Sequence, residues 1–127
     1  MSDEEKSSVG TIVWQDLTVA DADGLKDFYA QVVGWHVEPV DMGGYSDYEM
    51  VSPSTGEAVT GVCHATGVNS GLPAQWLIYF SVEDIEASVA KVVELGGEVL
   101  IAPKPLGDEL FCVIRDPAGA VCALTGT

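Results

Sequence analysis

Apolar residues along the chain change period from strand-like to helix-like and back, and the whole succession then occurs a second time. Residues 11–19 and 75–82 are rich in β-branched and aromatic side chains, as half-buried strands are. After the first run, Ala22, Leu25, Phe28, Tyr29, Val32 and Val33 fall at helical spacing and predict one apolar helix face. Asp21 stands where an N-cap belongs, and Gly34 where such a helix stops. After the second run, Ile85, Val89, Val92 and Val93 form the stripe, with Asp84 opening it and Gly96-Gly97 closing it. Three strand-like runs follow each helix: 35–40, 45–51 and 57–64, then 98–102, 110–115 and 121–125. Gly43-Gly44 and residues 53–56, 103–107 and 116–119 supply the turns.

The two halves share punctuation as well as rhythm. Thr18-Val19-Ala20-Asp21 resembles Ser81-Val82-Glu83-Asp84, 63 residues later, and Gly34 and Gly56 recur at that offset as Gly97 and Gly119. This predicts a βαβββ unit used twice, over 10–65 and 75–127, with a polar linker at 66–74 and a flexible acidic N-terminus at 1–9. One unit alone would leave a sheet face bare and an edge unpaired. Two units set edge to edge predict a single α+β domain: a curved eight-stranded mixed sheet, helices outside and a concave cup inside. Such a cup, lined by alternate strand residues, suits a small molecule.

Composition narrows the partners. The chain has 127 residues, 47 % of them hydrophobic, enough for one packed core and too few for much else. Twenty Asp and Glu against five Lys and Arg give a formal charge of -15. That excludes nucleic acid as a main partner and disfavours anionic membranes, since both are bound through clustered cations. An acidic surface keeps a protein soluble, and it also attracts a cationic ligand. Residues 1–8 hold no apolar run, and no stretch approaches the roughly 18 apolar residues of a spanning helix. Cys63, Cys112 and Cys122 make no disulfide framework and read as reduced, buried thiols, so a cytoplasmic location is expected.

Trp14 through Asp21, Phe28-Tyr29 with Gly34-Trp35, the stretch from Ser81-Val82-Glu83-Asp84 to Gly96-Gly97, and Asp116-Pro117-Ala118-Gly119 together carry a likeness. The chain resembles the vicinal oxygen chelate superfamily, which holds glyoxalase I, extradiol dioxygenases, fosfomycin-resistance proteins and bleomycin-resistance proteins. Trp14, Trp35 and Trp76 look most like its glyoxalase-like group. The resemblance implies the tandem fold, a C2 homodimer and a divalent metal held by His, Glu or Gln. Those ligands sit near the start of the first strand of each unit and within its last strand. Here the positions fall on Trp14, Leu77, Ala123 and either Thr60 or Gly61. None is a competent ligand for Zn, Ni, Fe or Mn. A one-residue slip brings in Gln15, but with Ile78 and Cys122 beside it. His36 and His64 fall at no family position and read as strand-end histidines with ordinary hydrogen bonds. No metal or other cofactor is expected.

Alternation places Trp14, Asp16 and Thr18 on one face of the first strand, with Leu17 and Val19 on the other facing a helix. The fifth strand offers Leu77 and Tyr79 in the same way. Tyr48 and Met50, with repeat partners Phe111 and Val113, complete the expected aromatic wall for a small organic molecule. Asp16 is the candidate general base or partner of a ligand cation, and Glu49 a weaker one. Asp116 reads as a structural turn residue. No Ser-His-Asp set, phosphate loop or paired-cysteine motif is present. Two functions from different classes remain: metal-free binding of an organic ligand, in the manner of bleomycin-resistance proteins, and a glyoxalase-, epimerase- or lyase-type enzyme using a metal or Asp16.

Overall fold

A computed structural model describes residues 9–66 and 71–127. In chain order the elements are β1 (Ile12–Val19), α1 (Ala22–Val33), β2 (His36–Asp41), β3 (Ser46–Val51) and β4 (Ala58–His64). There follow β5 (Trp76–Ser81), α2 (Ile85–Glu94), β6 (Glu98–Leu106), β7 (Glu109–Arg115) and β8 (Val121–Gly126). The strands hydrogen-bond in the order β2-β3-β4-β1-β5-β8-β7-β6, a mixed eight-stranded sheet with free ends at β2 and β6. The βαβββ pattern thus occurs twice among the described residues. In each half the helix carries the chain from the inner strand (β1 or β5) to the outermost one (β2 or β6). Antiparallel hairpins return it, and the last strand pairs parallel with the first, β4 with β1 and β8 with β5. Gln15–Trp76 form one compact unit, and Leu77–Thr127 form the other together with the described residues up to Trp14. β1 straddles the two because its approach is bonded to the end of β5: Gly10 N–H donates to Ser81 O at 2.7 Å and Ser81 N–H to Thr11 O at 2.9 Å. Residues 1–8 of the expected N-terminal tail and 67–70 of the expected linker lie outside the described residues.

In the first unit Asp21 caps α1, its Oδ1 accepting from Gly24 N–H at 3.0 Å, and Gly34 ends it in the left-handed region (φ 91°). Leu17, Val19, Ala22, Met50 and Val62 form the core, with Leu25, Tyr29, Ala30 and Trp35 packed against it. The expected stripe is too wide. Phe28 and Val32 are 55 % and 64 % exposed, and Val33 is exposed too. Ala22, Leu25 and Tyr29 already define the covered face. Phe28 is turned about 100° from Tyr29, and Val32, four residues on, shares that outward row.

In the second unit Asp84 caps α2 through Ala87 N–H at 3.1 Å. Ile85, Cys112, Ile114 and Leu124 form the core, joined by Val89, Val92 and others, while Val93 is exposed. The left-handed glycine ending this helix is Gly96 (φ 91°), not Gly97. Gly97 is required for another reason: a Cβ there would lie 2.9 Å from Arg115 O. The turn expected at 103–107 is instead strand, since β6 runs on to Leu106. Pro103 and Pro105 are tolerated because β6 is an edge strand, where a missing N–H breaks no ladder on the open side. Asp116 does what its turn position predicts, accepting from Ala118 N–H and Ala120 N–H at 2.8 and 3.0 Å.

Candidate functional site

Strand register decides which side chains can share a surface. Asp16 stands opposite Gly61 in the first unit, and Tyr79 stands opposite Ala123 in the second. Tyr79 follows Asp16 by 63 residues, but Ala123 follows Gly61 by 62. The sequence left Thr60 and Gly61 as alternatives for the last-strand position, and the register selects Gly61. Thr60 packs on the other side, its hydroxyl donating to Gln15 O at 2.6 Å.

A similar slip overturns part of the expected wall. Tyr48 lies opposite Val62, while Cys112, not Phe111, lies opposite Leu124. Tyr48 and Met50 therefore belong to the helix-facing core, Met50 fully buried, and are withdrawn from the ligand surface. Their supposed partners Phe111 and Val113 face away from α2, because Cys112 and Ile114 occupy the helix side. A one-residue change in offset moves a strand's side chains to the opposite face.

The helix-distal face of the first unit carries Asp16, Thr18, Gly61 and Cys63. Asp16 is 8 % exposed, and its Cβ lies 3.5 Å from where a Gly61 Cβ would stand. Burial, then the charges of Asp16 and Asp47, push the Cys63 thiol up to about 12, so it stays protonated and is no ready nucleophile at neutral pH. Glu49 is exposed. In the second unit the corresponding face carries Leu77, Tyr79, Phe111, Val113 and Ala123, all buried. The Tyr79 and Phe111 rings are 6.4 Å apart, and Lys104 Nζ lies 5.2 Å from the Phe111 ring centre. Trp14 is half-buried.

A polar cluster that sequence reading missed closes the end of β4. His64 N–H donates to Asp47 Oδ1 at 2.8 Å, its Nδ1 lies 3.2 Å from the same oxygen, and its Nε2 lies 3.4 Å from Asp23 Oδ1. The Tyr48 hydroxyl donates to Asp23 Oδ1. This hydrogen bond, ahead of the His64 and Lys26 charges, holds the Asp23 carboxyl below its ordinary range and pushes the Tyr48 hydroxyl up. The residues come from α1, β3 and β4, so no spacing in the sequence announces them. Both imidazole nitrogens of His64 already face carboxylates, which ties the first turn of α1 to the sheet. His36 is exposed.

A sequence profile of the glyoxalase/bleomycin resistance protein/dioxygenase superfamily matches residues 10–124. The chain belongs to this superfamily. "Putative glyoxylase CFP32" of Mycobacterium tuberculosis is 33 % identical over 117 residues, covering 91 % of this chain and 45 % of that protein. "Anthracycline biosynthesis protein DnrV" of Streptomyces peucetius is 33 % identical over 128 residues, covering 91 % and 46 %. The chain thus spans about half the length of these curated relatives. Among solved structures, the Mn(II)-bound glyoxalase from Novosphingobium aromaticivorans superposes with a TM-score of 0.58 at 20 % identity, covering 94 % of this chain and 39 % of that one. A methylmalonyl-CoA epimerase in complex with methylmalonyl-CoA and NH4+ superposes at 0.55 and 17 % identity, covering 94 % and 96 %. These superpositions establish a shared fold.

The manganese in that neighbour makes the donor chemistry of this superfamily member worth testing. With register applied, the four family ligand positions hold an indole (Trp14), an isobutyl group (Leu77), a methyl group (Ala123) and no side chain at all (Gly61). None offers a lone pair suited to a divalent ion. Gln15, the only amide one residue away, already donates to Val59 O. Among the described residues, no group of three or more His, Cys, Asp or Glu side chains could hold a metal ion elsewhere. These residues do not fit the family metal. No helix among the described residues is long and apolar enough to cross a membrane.

Proposed function

We propose that this superfamily member is a metal-independent binding domain for a small organic molecule. The carrying observation is the donor set at the family ligand positions, with Gly61 in place of a side chain and Ala123, Leu77 and Trp14 completing it. The residues read as contacting the ligand are Asp16 and Thr18 in the first unit and Trp14, Leu77, Tyr79 and Phe111 in the second, each unit's helix-distal face taken by itself. The acidic surface favours a cationic organic ligand. A C2 homodimer in the cytoplasm accompanies this reading.

A second reading is favoured by the buried Asp16 carboxylate and by a relative named as a glyoxylase. In it Asp16 is a general base in a lyase- or isomerase-type reaction. Elemental mass spectrometry on untagged protein, incubated with Mg, Mn, Fe, Co, Ni and Zn and desalted, tests the proposal. Below about a tenth of an equivalent of every metal is expected. Near one equivalent of any metal would sink it. A thermal-shift panel of cationic aromatic compounds then separates the readings. Stabilisation that Asp16→Asn abolishes, without turnover, supports binding, and turnover lost in the same variant supports the enzyme.

A further inference from the structure

The second unit contains a cavity of about 650 Å³ on the side of the sheet opposite Tyr79 and Phe111. It lies along the flank of α2, over the outer parts of β7 and β8. The internal repeat explains it. The capped helix starts fix Leu25, Phe28 and Tyr29 of α1 as counterparts of Ser88, Lys91 and Val92 of α2. The left-handed glycines Gly34 and Gly96 fix Trp35 as the counterpart of Gly97. In the first unit Leu25, Tyr29 and Trp35 pack on the core, with the Tyr29 and Trp35 rings 6.4 Å apart. In the second unit Ser88, Lys91, Val92 and Gly97 all line the cavity. A leucine and a tyrosine thus have a serine and a valine as counterparts, and both of these line the open cavity. At Gly97 itself backbone fills the space, since a Cβ there would lie 2.9 Å from Arg115 O.

We propose that this cavity is a binding site for an uncharged aromatic small molecule of one or two fused rings. The ligand lies beside Ser88 and Val92, the counterparts of the larger Leu25 and Tyr29 of the first unit. Ile114, Leu124 and Val92 supply an apolar floor, and the volume falls within the roughly 300–1,000 Å³ of small-molecule sites. Of the charged residues that line it, Lys91 pairs with Glu94, Arg115 with Glu98, Asp84 accepts from Ala87 N–H and Asp116 from two turn amides; Glu83 also lines it. An anionic ligand would find both lining cations already paired, and the net charge of -15 further opposes it, while the apolar floor favours an uncharged ring over a cation. The site is separate from the helix-distal surface of the proposed function and stands whether or not that surface binds a ligand.

Indole titrated into the full-length 15N-labelled chain provides the test. Saturable amide shifts are expected at residues 87–92 and 114–116, and they should persist in Asp16→Asn. Ser88→Leu with Val92→Tyr, which restores the first unit's side chains, should weaken indole binding at least tenfold. If the double variant does not fold, Ser88→Leu alone should still weaken it severalfold. No saturable shift, shifts confined to the Tyr79–Phe111 face, or undiminished binding in the filled variants would overturn the site. So would shifts along α2 that depend on protein concentration without indole, because a second copy of the chain would then be the occupant.

Discussion

Met50→Ala tests the placement that most changes the reading of this molecule. On alternation from the first strand and the simple repeat, Met50 belongs to a ligand surface, where shortening it would mainly alter binding. In the structure it is 0 % exposed, enclosed by Leu17, Val19, Ala22 and Val62 under α1. Removing its outer side-chain atoms loses about 1.5–3 kcal/mol of burial and leaves a cavity that surrounding β-branched residues fill poorly. The total expected loss is about 3 kcal/mol, within the ~2–5 kcal/mol typical of Met→Ala in cores. For a chain of this length that lowers Tm by roughly 10 °C, at about 3–5 °C per kcal/mol. Urea unfolding followed by circular dichroism should give the same loss with an unchanged m-value. Phe28→Ala, at an exposed position on the same helix-bearing unit, should stay within about 0.5 kcal/mol. A Met50→Ala loss below about 1 kcal/mol would refute the placement and return Met50 to the candidate surface.

Three further outcomes follow from the geometry. Asp23 is held below its ordinary 3.8 first by the Tyr48 hydroxyl, so its contribution to stability is whole above that pH and lost as pH falls through the lower folded value. Tyr48→Phe should move the Asp23 carboxyl 13C titration upward toward 3.8, and an unmoved titration would remove the hydrogen bond from the account. Cys63, at about 12, should resist a thiol-reactive dye at pH 8 until the chain unfolds, with rapid native labelling of that residue as the contrary result. Gly97→Ala, whose Cβ meets Arg115 O at 2.9 Å, should cost about 1–3 kcal/mol by thermal unfolding, and a neutral result would mean the backbone there yields freely.

The sequence disclosed elements better than faces. Asp21 and Asp84 marked helix starts because a carboxylate before an apolar periodic run has a local job, accepting an N–H of the first turn. Leu17 and Val19 were correctly assigned to the helix side because alternation within one strand is local too. Tyr48 failed because its face depends on pairing with Val62, 14 residues away in the chain and across a hairpin with an irregularity between Met50 and Val51. The Asp23–His64–Asp47 cluster joins a helix, a strand and a strand end, so only the fold brings it together. Pro103 looked like a turn because the sequence does not state which strands are edges.

The two units share a plan and differ in where each keeps its bulk. From the capping residues through β1 and β5 the offset between them is 63 residues. It is 62 at the glycine that ends each helix, and 62 again where Gly61 answers Ala123. These single-residue drifts sit in turns and helix ends, where an added or missing residue is absorbed without breaking a ladder. Their effect inside the strands is large, because each drift changes which residue faces the helix. In the first unit Met50, Tyr29 and Trp35 gather under α1. In the second the aromatics Tyr79 and Phe111 stand on the far side, and the packing under α2 is mainly aliphatic, with Phe80 the one aromatic in that cluster. An aromatic-poor helix face and a cavity in one half, against a filled one in the other, are therefore two results of the same divergence. On the proposed metal-independent reading, the same divergence left Gly61 and Ala123 at positions expected from the resemblance to carry metal donors.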